Sequence, residues 1–207
     1  MGFSLLELLI VVAIAALLTV GTIPALRSIV QARGATHAAY QVAAAVELAR
    51  SEAIARRTYV WLAIQPQTNS GNADLRVGLF YSKDGTTNHA SANVAPLARP
   101  MLLERSDMVP FSSASSFVTN TPIPDDLSNA TSGATFASGN VTFSSGRTIT
   151  FTPLGEASTL ATPVWTSTFS PRIAIALQQT IGTTRQTNDT LAVLVDGSVG
   201  LPTIYRR

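Results

Sequence analysis

The chain has 207 residues, 46% apolar and 13% charged, with a formal net charge of +2. That is apolar enough to bury a core and excludes global disorder. Residues 58–207 carry nine basic and nine acidic side chains, so no long-range field draws nucleic acid to that part. The absence of cysteine excludes disulfides, thiolate metal sites and a thiol nucleophile.

From Leu8 to Leu26 the sequence LLIVVAIAALLTVGTIPAL is uncharged over 19 residues, about the length of a bilayer core in helical form. No polar face breaks it, unlike a soluble surface helix. A cleaved signal peptide would need a basic start, a shorter apolar stretch and a small-residue cleavage site. Here no basic residue precedes the run, which continues directly into an Ala-rich pattern. Glu7 interrupts its start. A charged, unpaired carboxylate there costs several kcal/mol, so it either reaches water or meets a cation.

The stretch Gly2-Phe3-Ser4-Leu5-Leu6-Glu7-Leu8-Leu9-Ile10-Val11-Val12-Ala13-Ile14 resembles the processing motif of type IV pilins and type II secretion pseudopilins. The resemblance implies cleavage between Gly2 and Phe3 by a prepilin peptidase, N-methylation of Phe3, and Glu7 as the assembly carboxylate. Glu7 would then pair with the Phe3 amino group of a neighbouring subunit. Pro24 matches the helix-kinking proline of the family's stem. Only Met1 and Gly2 precede the cleavage position, where family leaders are usually longer and basic. The implied topology, single-pass in a bacterial inner membrane with a periplasmic head before filament entry, therefore rests on resemblance and not on flanking charge.

Residues 27–57 keep a helical pattern. Ala35, Ala38, Ala39, Val42, Val46, Ala49 and Ala53 form one apolar stripe at three- and four-residue spacing. Glu47 with Arg50, and Glu52 with Arg56, are spaced for ion pairs worth a few tenths of a kcal/mol. The segment LARSEAIARRTYVWLAI (48–64) resembles the GspH/FimT-like minor pilins and pseudopilins, in which such a helix end precedes a strand.

The rest reads as β. Strands are predicted at Tyr59–Ile64 and Leu75–Tyr81, around a turn at Asn69-Ser70-Gly71-Asn72. A short strand is predicted at Met101–Glu104, and a hairpin at Val141–Phe143 and Thr148–Phe151. Strands at Ile173–Gln178 and Leu191–Val195 flank a polar loop, and an edge strand at Val199–Tyr205 is interrupted by Pro202. Phe111–Asn140, rich in Ser, Thr, Ala, Asn and Pro, reads as a long surface loop.

The predicted fold class is α+β and pilin-like: a long N-terminal helix, membrane-spanning half plus amphipathic half, packed on an antiparallel β-sheet head. Its parts are a residual leader (1–2), a transmembrane or filament-core helix (3–27), an amphipathic helix (28–57) and a β-rich head (58–207).

No catalytic motif of the common hydrolase, phosphate-binding or zinc-protease types is present, so no enzyme, cofactor or metal is expected. His37 and His89 lie too far apart in sequence and context to share a metal. Asp125-Asp126 has a Ca²⁺-compatible chemistry, but adjacent loop acids are ordinarily solvated. Asn129-Ala-Thr, Asn140-Val-Thr and Asn188-Asp-Thr match the N-glycosylation pattern and carry no weight in a Ser/Thr-rich chain. The expected function is a minor pilin or pseudopilin, with other pilin subunits, the prepilin peptidase/methyltransferase and membrane lipid as partners. The alternative is a DNA- or surface-binding tip subunit using Arg185, Arg206 and Arg207. The Gly-Arg-x-Arg-like ending of DNA-binding FimT-like pilins is not matched by Gly200-Leu201-Pro202-Thr203.

Overall fold

The computed structural model of the chain describes residues 5, 8–16, 18, 34–114, 118, 125–130, 134–144, 146–159 and 172–206. They belong to two units, Met1–Arg33 and Gly34–Arg207. In the first unit, residues 5, 8–16 and 18 are helical.

The second unit opens with helix α1 (Gly34–Arg56), followed by strands β1 (Val60–Asn69), β2 (Asn72–Ser82), β3 (Val94–Pro96), β4 (Met101–Leu103) and β5 (Ser106–Val109). Two short 3-10 turns, Phe111–Ser113 and Leu127–Asn129, lie around β6 (Asp125–Asp126). Then come β7 (Phe136–Ser138), β8 (Val141–Phe143), β9 (Thr148–Phe151), β10 (Ala157–Ser158), β11 (Arg172–Ile181), β12 (Thr184–Asp196) and β13 (Pro202–Arg206). One sheet has the order β10-β9-β1-β2-β3, with β4 also on β2; a second has the order β13-β12-β11-β5. All these pairs are antiparallel, while β6 joins β11 in parallel. Strands β7 and β8 form a separate hairpin.

Helix α1 packs against strands of both larger sheets. Every residue of the predicted stripe is buried, together with Ala43 and Ala45. Alanine leaves the backbone of α1 accessible to close approach, so bulky residues from two sheets close around it: Val60, Leu62 and Ile64 from one, Ile173, Ile175 and Leu177 from the other. The alternate residues face away from the helix and are also covered. Trp61, Ala63 and Phe80 lie under the β7–β8 hairpin through Phe136 and Phe143. Ala174, Ala176 and Leu194 pack with Val109, Ala114 and Val118. Strands buried on both faces lose the apolar–polar alternation of a one-faced sheet and read as continuous apolar runs.

The helix ends where Arg57 adopts φ 53°. The Thr58 N–H donates to the Ala53 carbonyl at 3.1 Å and the Arg57 N–H to the Ile54 carbonyl at 3.3 Å. That is the Schellman pattern, with arginine at a position usually held by glycine.

Several expectations need correction. The α+β pilin-like class with one long N-terminal helix does not stand: strands make up 46% of the described residues, in an architecture dominated by antiparallel sheets. No helix among the described residues is long and apolar enough to cross a membrane. The single-pass inner-membrane placement with a periplasmic head loses its structural basis accordingly. That placement rests on the resemblance and on the apolar run 8–26, and hydropathy reports a preference for apolar surroundings whether these are lipid or protein.

Within the sheets, β8 and β9 are not a hairpin. Strand β8 pairs with β7, and β9 pairs with β1, with Val60 opposite Phe151. The polar tract after Gln178 is not a loop, because β11 and β12 continue to a two-residue turn at Gly182-Thr183, through an irregularity between Gln178 and Thr180. Pro202 does not interrupt the last strand but begins it, at the sheet edge where a missing N–H is tolerated. The predicted loop 111–140 contains β6, β7, two 3-10 turns and the buried Leu127 and Phe136.

Candidate functional site

Leu8, Leu9, Val11 and Val12 are each about three-fifths exposed (63%, 62%, 61% and 59%), and Ile10 and Ile14 about half (49% and 52%). Successive helical residues point about 100° apart, so exposure of residues 8 to 12 means that the segment is uncovered around its whole circumference. Fully burying one such side chain contributes roughly 1.5–3 kcal/mol. Half-exposed, each still has on the order of 1 kcal/mol to gain from a cover. The arrangement has no chemistry except association with another apolar surface.

Gly2, Phe3, Glu7 and Pro24, the predicted processing, assembly and kink residues, lie outside the described residues, as does Arg207. The other two residues of the predicted cationic group each face a carboxylate. The Arg185 Nε donates to Asp107 Oδ2 at 2.8 Å, and Arg206 lies 3.9 Å from Asp189. His37 is exposed on α1 with its ring beside Gln41, at 3.5 Å, while His89 lies against Phe136 with ring centroids 6.5 Å apart. The two histidines serve different surroundings. Asp126 accepts from the Phe111 N–H at 2.8 Å, the Ser128 N–H at 2.9 Å and the Asn129 side chain at 3.3 Å, so its carboxylate stitches two 3-10 turns together. Among the described residues no group of three His, Cys, Asp or Glu is placed to hold a metal.

No family model, no curated protein and no solved structure matches this chain. Its functional reading therefore rests on its own residues.

The i,i+3 spacing predicts a pair between Arg50 and Glu47. Instead the Arg50 Nε donates to the Val199 carbonyl, 149 residues away. Its side chain also lies against Gly155 and Gly200: a Cβ at Gly200 would strike the Gly155 carbonyl oxygen, and one at Gly155 would meet the Ile54 and Arg50 side chains. The turn carrying Val199 is held from within by Asp196, which accepts from the Ser198 hydroxyl at 2.6 Å and N–H at 2.9 Å and from the Val199 N–H at 3.3 Å. Those bonds hold the Asp196 carboxyl below its ordinary value, the Ser198 hydroxyl contributing most. The only cue in the sequence is the Asp-Gly-Ser turn pattern at 196–198. Glu52 and Arg56 do pair, at 2.6 Å, with the Arg56 guanidinium 4.7 Å from the centre of the Tyr81 ring.

Proposed function

We propose that the chain is a structural subunit of a type IV pilus-like or type II secretion pseudopilus-like filament, a minor subunit trimmed by a prepilin peptidase, and not an enzyme. One observation carries the reading: an uncharged helical segment, exposed on all sides, follows immediately on a Gly-Phe-x-x-x-Glu processing motif. Such a segment is stable in water only at a large cost, and other subunits of the same kind offer a matching apolar cover. Glu7 gives that cover a register. In an apolar bundle an unpaired carboxylate costs several kcal/mol, whereas a neighbour's α-amino group on Phe3 offsets much of it. The pairing of Arg185 with Asp107 and of Arg206 with Asp189 disfavours the DNA-binding alternative, since each arginine is already partly neutralised.

The test is the intact mass and N-terminal sequence of the chain from cells with and without a prepilin peptidase. A chain beginning at N-methylated Phe3 only when the peptidase is present supports the proposal, and Glu7→Ala is then expected to be processed but missing from filaments. An unprocessed chain in both cells, or normal incorporation of Glu7→Ala, overturns it.

A further inference from the structure

The three Asn-x-Thr patterns are equivalent in sequence and sharply different in the fold. Glycosylation of such a site needs an accessible asparagine amide and an accessible hydroxyl two residues on, in a chain segment that an enzyme can grip. Asn129 has its side-chain amide engaged by Asp126 at 3.3 Å. Asn188 lies within strand β12, and the hydroxyl-bearing Thr190 is 1% exposed, its Oγ1 accepting from Gln178 at 2.8 Å and donating to the Thr187 carbonyl at 3.2 Å. Asn129 is itself exposed, but its amide is bonded to Asp126 and Thr131 lies outside the described residues, so among the described residues neither site displays both groups.

Asn140 does. It occupies the two-residue turn between β7 and β8, after Gly139 at φ 59°, with Ser138 opposite Val141 across the turn. A positive φ at the first turn residue is the type II′ requirement that glycine meets. Asn140 and Thr142 are both exposed, and Thr142 pairs across the hairpin with exposed Ala137. The opposite face of the hairpin carries Phe136 and Phe143, buried at 2% exposure each against Trp61 and Phe80. The hairpin is thereby clamped by its aromatic face and offers outward a small, uncharged stretch, Ala137-Ser-Gly-Asn-Val-Thr142.

We propose that Asn140 is a glycosylation site, with Thr142 as its recognition hydroxyl. The Asn140 Nδ2 attacks the anomeric carbon of a sugar activated as a phosphate ester. A C–N bond forms, the C–O bond to phosphate breaks, the phosphate leaves with the bonding pair, and the amide proton passes to a base of the transferring enzyme. No oxidation or reduction is involved. The donor is a sugar linked through phosphate either to a nucleoside or to a polyprenyl lipid. The inference does not depend on the filament reading.

The test is intact-mass and peptide mass spectrometry of the full chain isolated from its own cells, as wild type, Asn140→Gln, Thr142→Ala, Thr142→Ser and Asn129→Gln. Expected is an added sugar mass on the peptide containing Asn140, present in wild type, Thr142→Ser and Asn129→Gln and lost in Asn140→Gln and Thr142→Ala. Growth with an inhibitor of polyprenyl-linked sugar synthesis distinguishes the donors: loss of the mass indicates the lipid-linked one, persistence the nucleotide-linked one. An unmodified wild-type mass overturns the proposal, as does a sugar that stays when Asn140 is replaced.

Discussion

Gly78 on β2 has no room for a side chain. A Cβ built there would lie 2.6 Å from Phe143 Cζ and 2.8 Å from both Phe143 Cε2 and Phe80 Cε2. Neither ring can yield easily: Phe80 stacks on Phe136 at 5.0 Å between centroids and meets Phe143 edge-on at 5.4 Å, and all three are buried. Gly78→Ala is therefore expected to destabilise by about 1–3 kcal/mol through overpacking, reduced by the roughly 0.4–1 kcal/mol that alanine gains by restricting the unfolded chain. Phe143→Leu alone leaves a partial void and costs about 1–2 kcal/mol. Leucine lacks the ring edge that the new methyl would strike, so the double variant should be less damaged than the sum, by about 1 kcal/mol or more. Urea unfolding of the four proteins measures this cycle. The two costs adding within about 0.5 kcal/mol would refute the contact as the reason for glycine at this position. Near-UV circular dichroism reports in parallel whether the aromatic packing has loosened, because a two-stranded hairpin has little stability of its own once its anchoring rings are lost.

Arg57→Gly should raise stability. A non-glycine residue in the left-handed region costs roughly 1–2 kcal/mol, part of which is returned by glycine's larger unfolded-state entropy, leaving a gain of about 0.5–1 kcal/mol in thermal or urea unfolding. An unchanged or lower midpoint would show that Arg57 makes compensating contacts. The Asp196 turn should make the protein acid-sensitive. Its folded-state pKa lies below the unfolded value, so the stabilisation is fully present above the unfolded carboxylate value of about 3.9 and is lost as pH falls through the lower folded value. Melting temperature followed from about pH 6 to about pH 2.5 should fall more steeply below about pH 4 for wild type than for Asp196→Asn, and parallel curves would contradict this role.

Helix α1 is legible in the chain itself because its stripe obeys a local rule: Ala35, Ala38, Ala39, Val42, Val46, Ala49 and Ala53 share one face at helical spacing, and all are buried. The β1–β2 hairpin is equally legible. Ser70 and Gly71, both at positive φ, form its turn between two β-rich runs. The candidate apolar segment is visible as composition, and its described residues 8–16 and 18 are helical, while Glu7 lies outside the described residues.

Partners distant in sequence are not legible. Nothing local tells β9 to join β1, or Arg50 to abandon Glu47 for the Val199 carbonyl. The same holds for the three Asn-x-Thr patterns, of which the fold exposes Asn140 with its threonine and buries Thr190. Periodicity and turn chemistry are short-range, acting within a few residues of chain, so the sequence alone determined the Ala-faced helix, the first hairpin and the uncharged N-terminal run. Pairing, register and exposure are decided by which surfaces exclude water together, and that competition is settled only when the whole chain has packed.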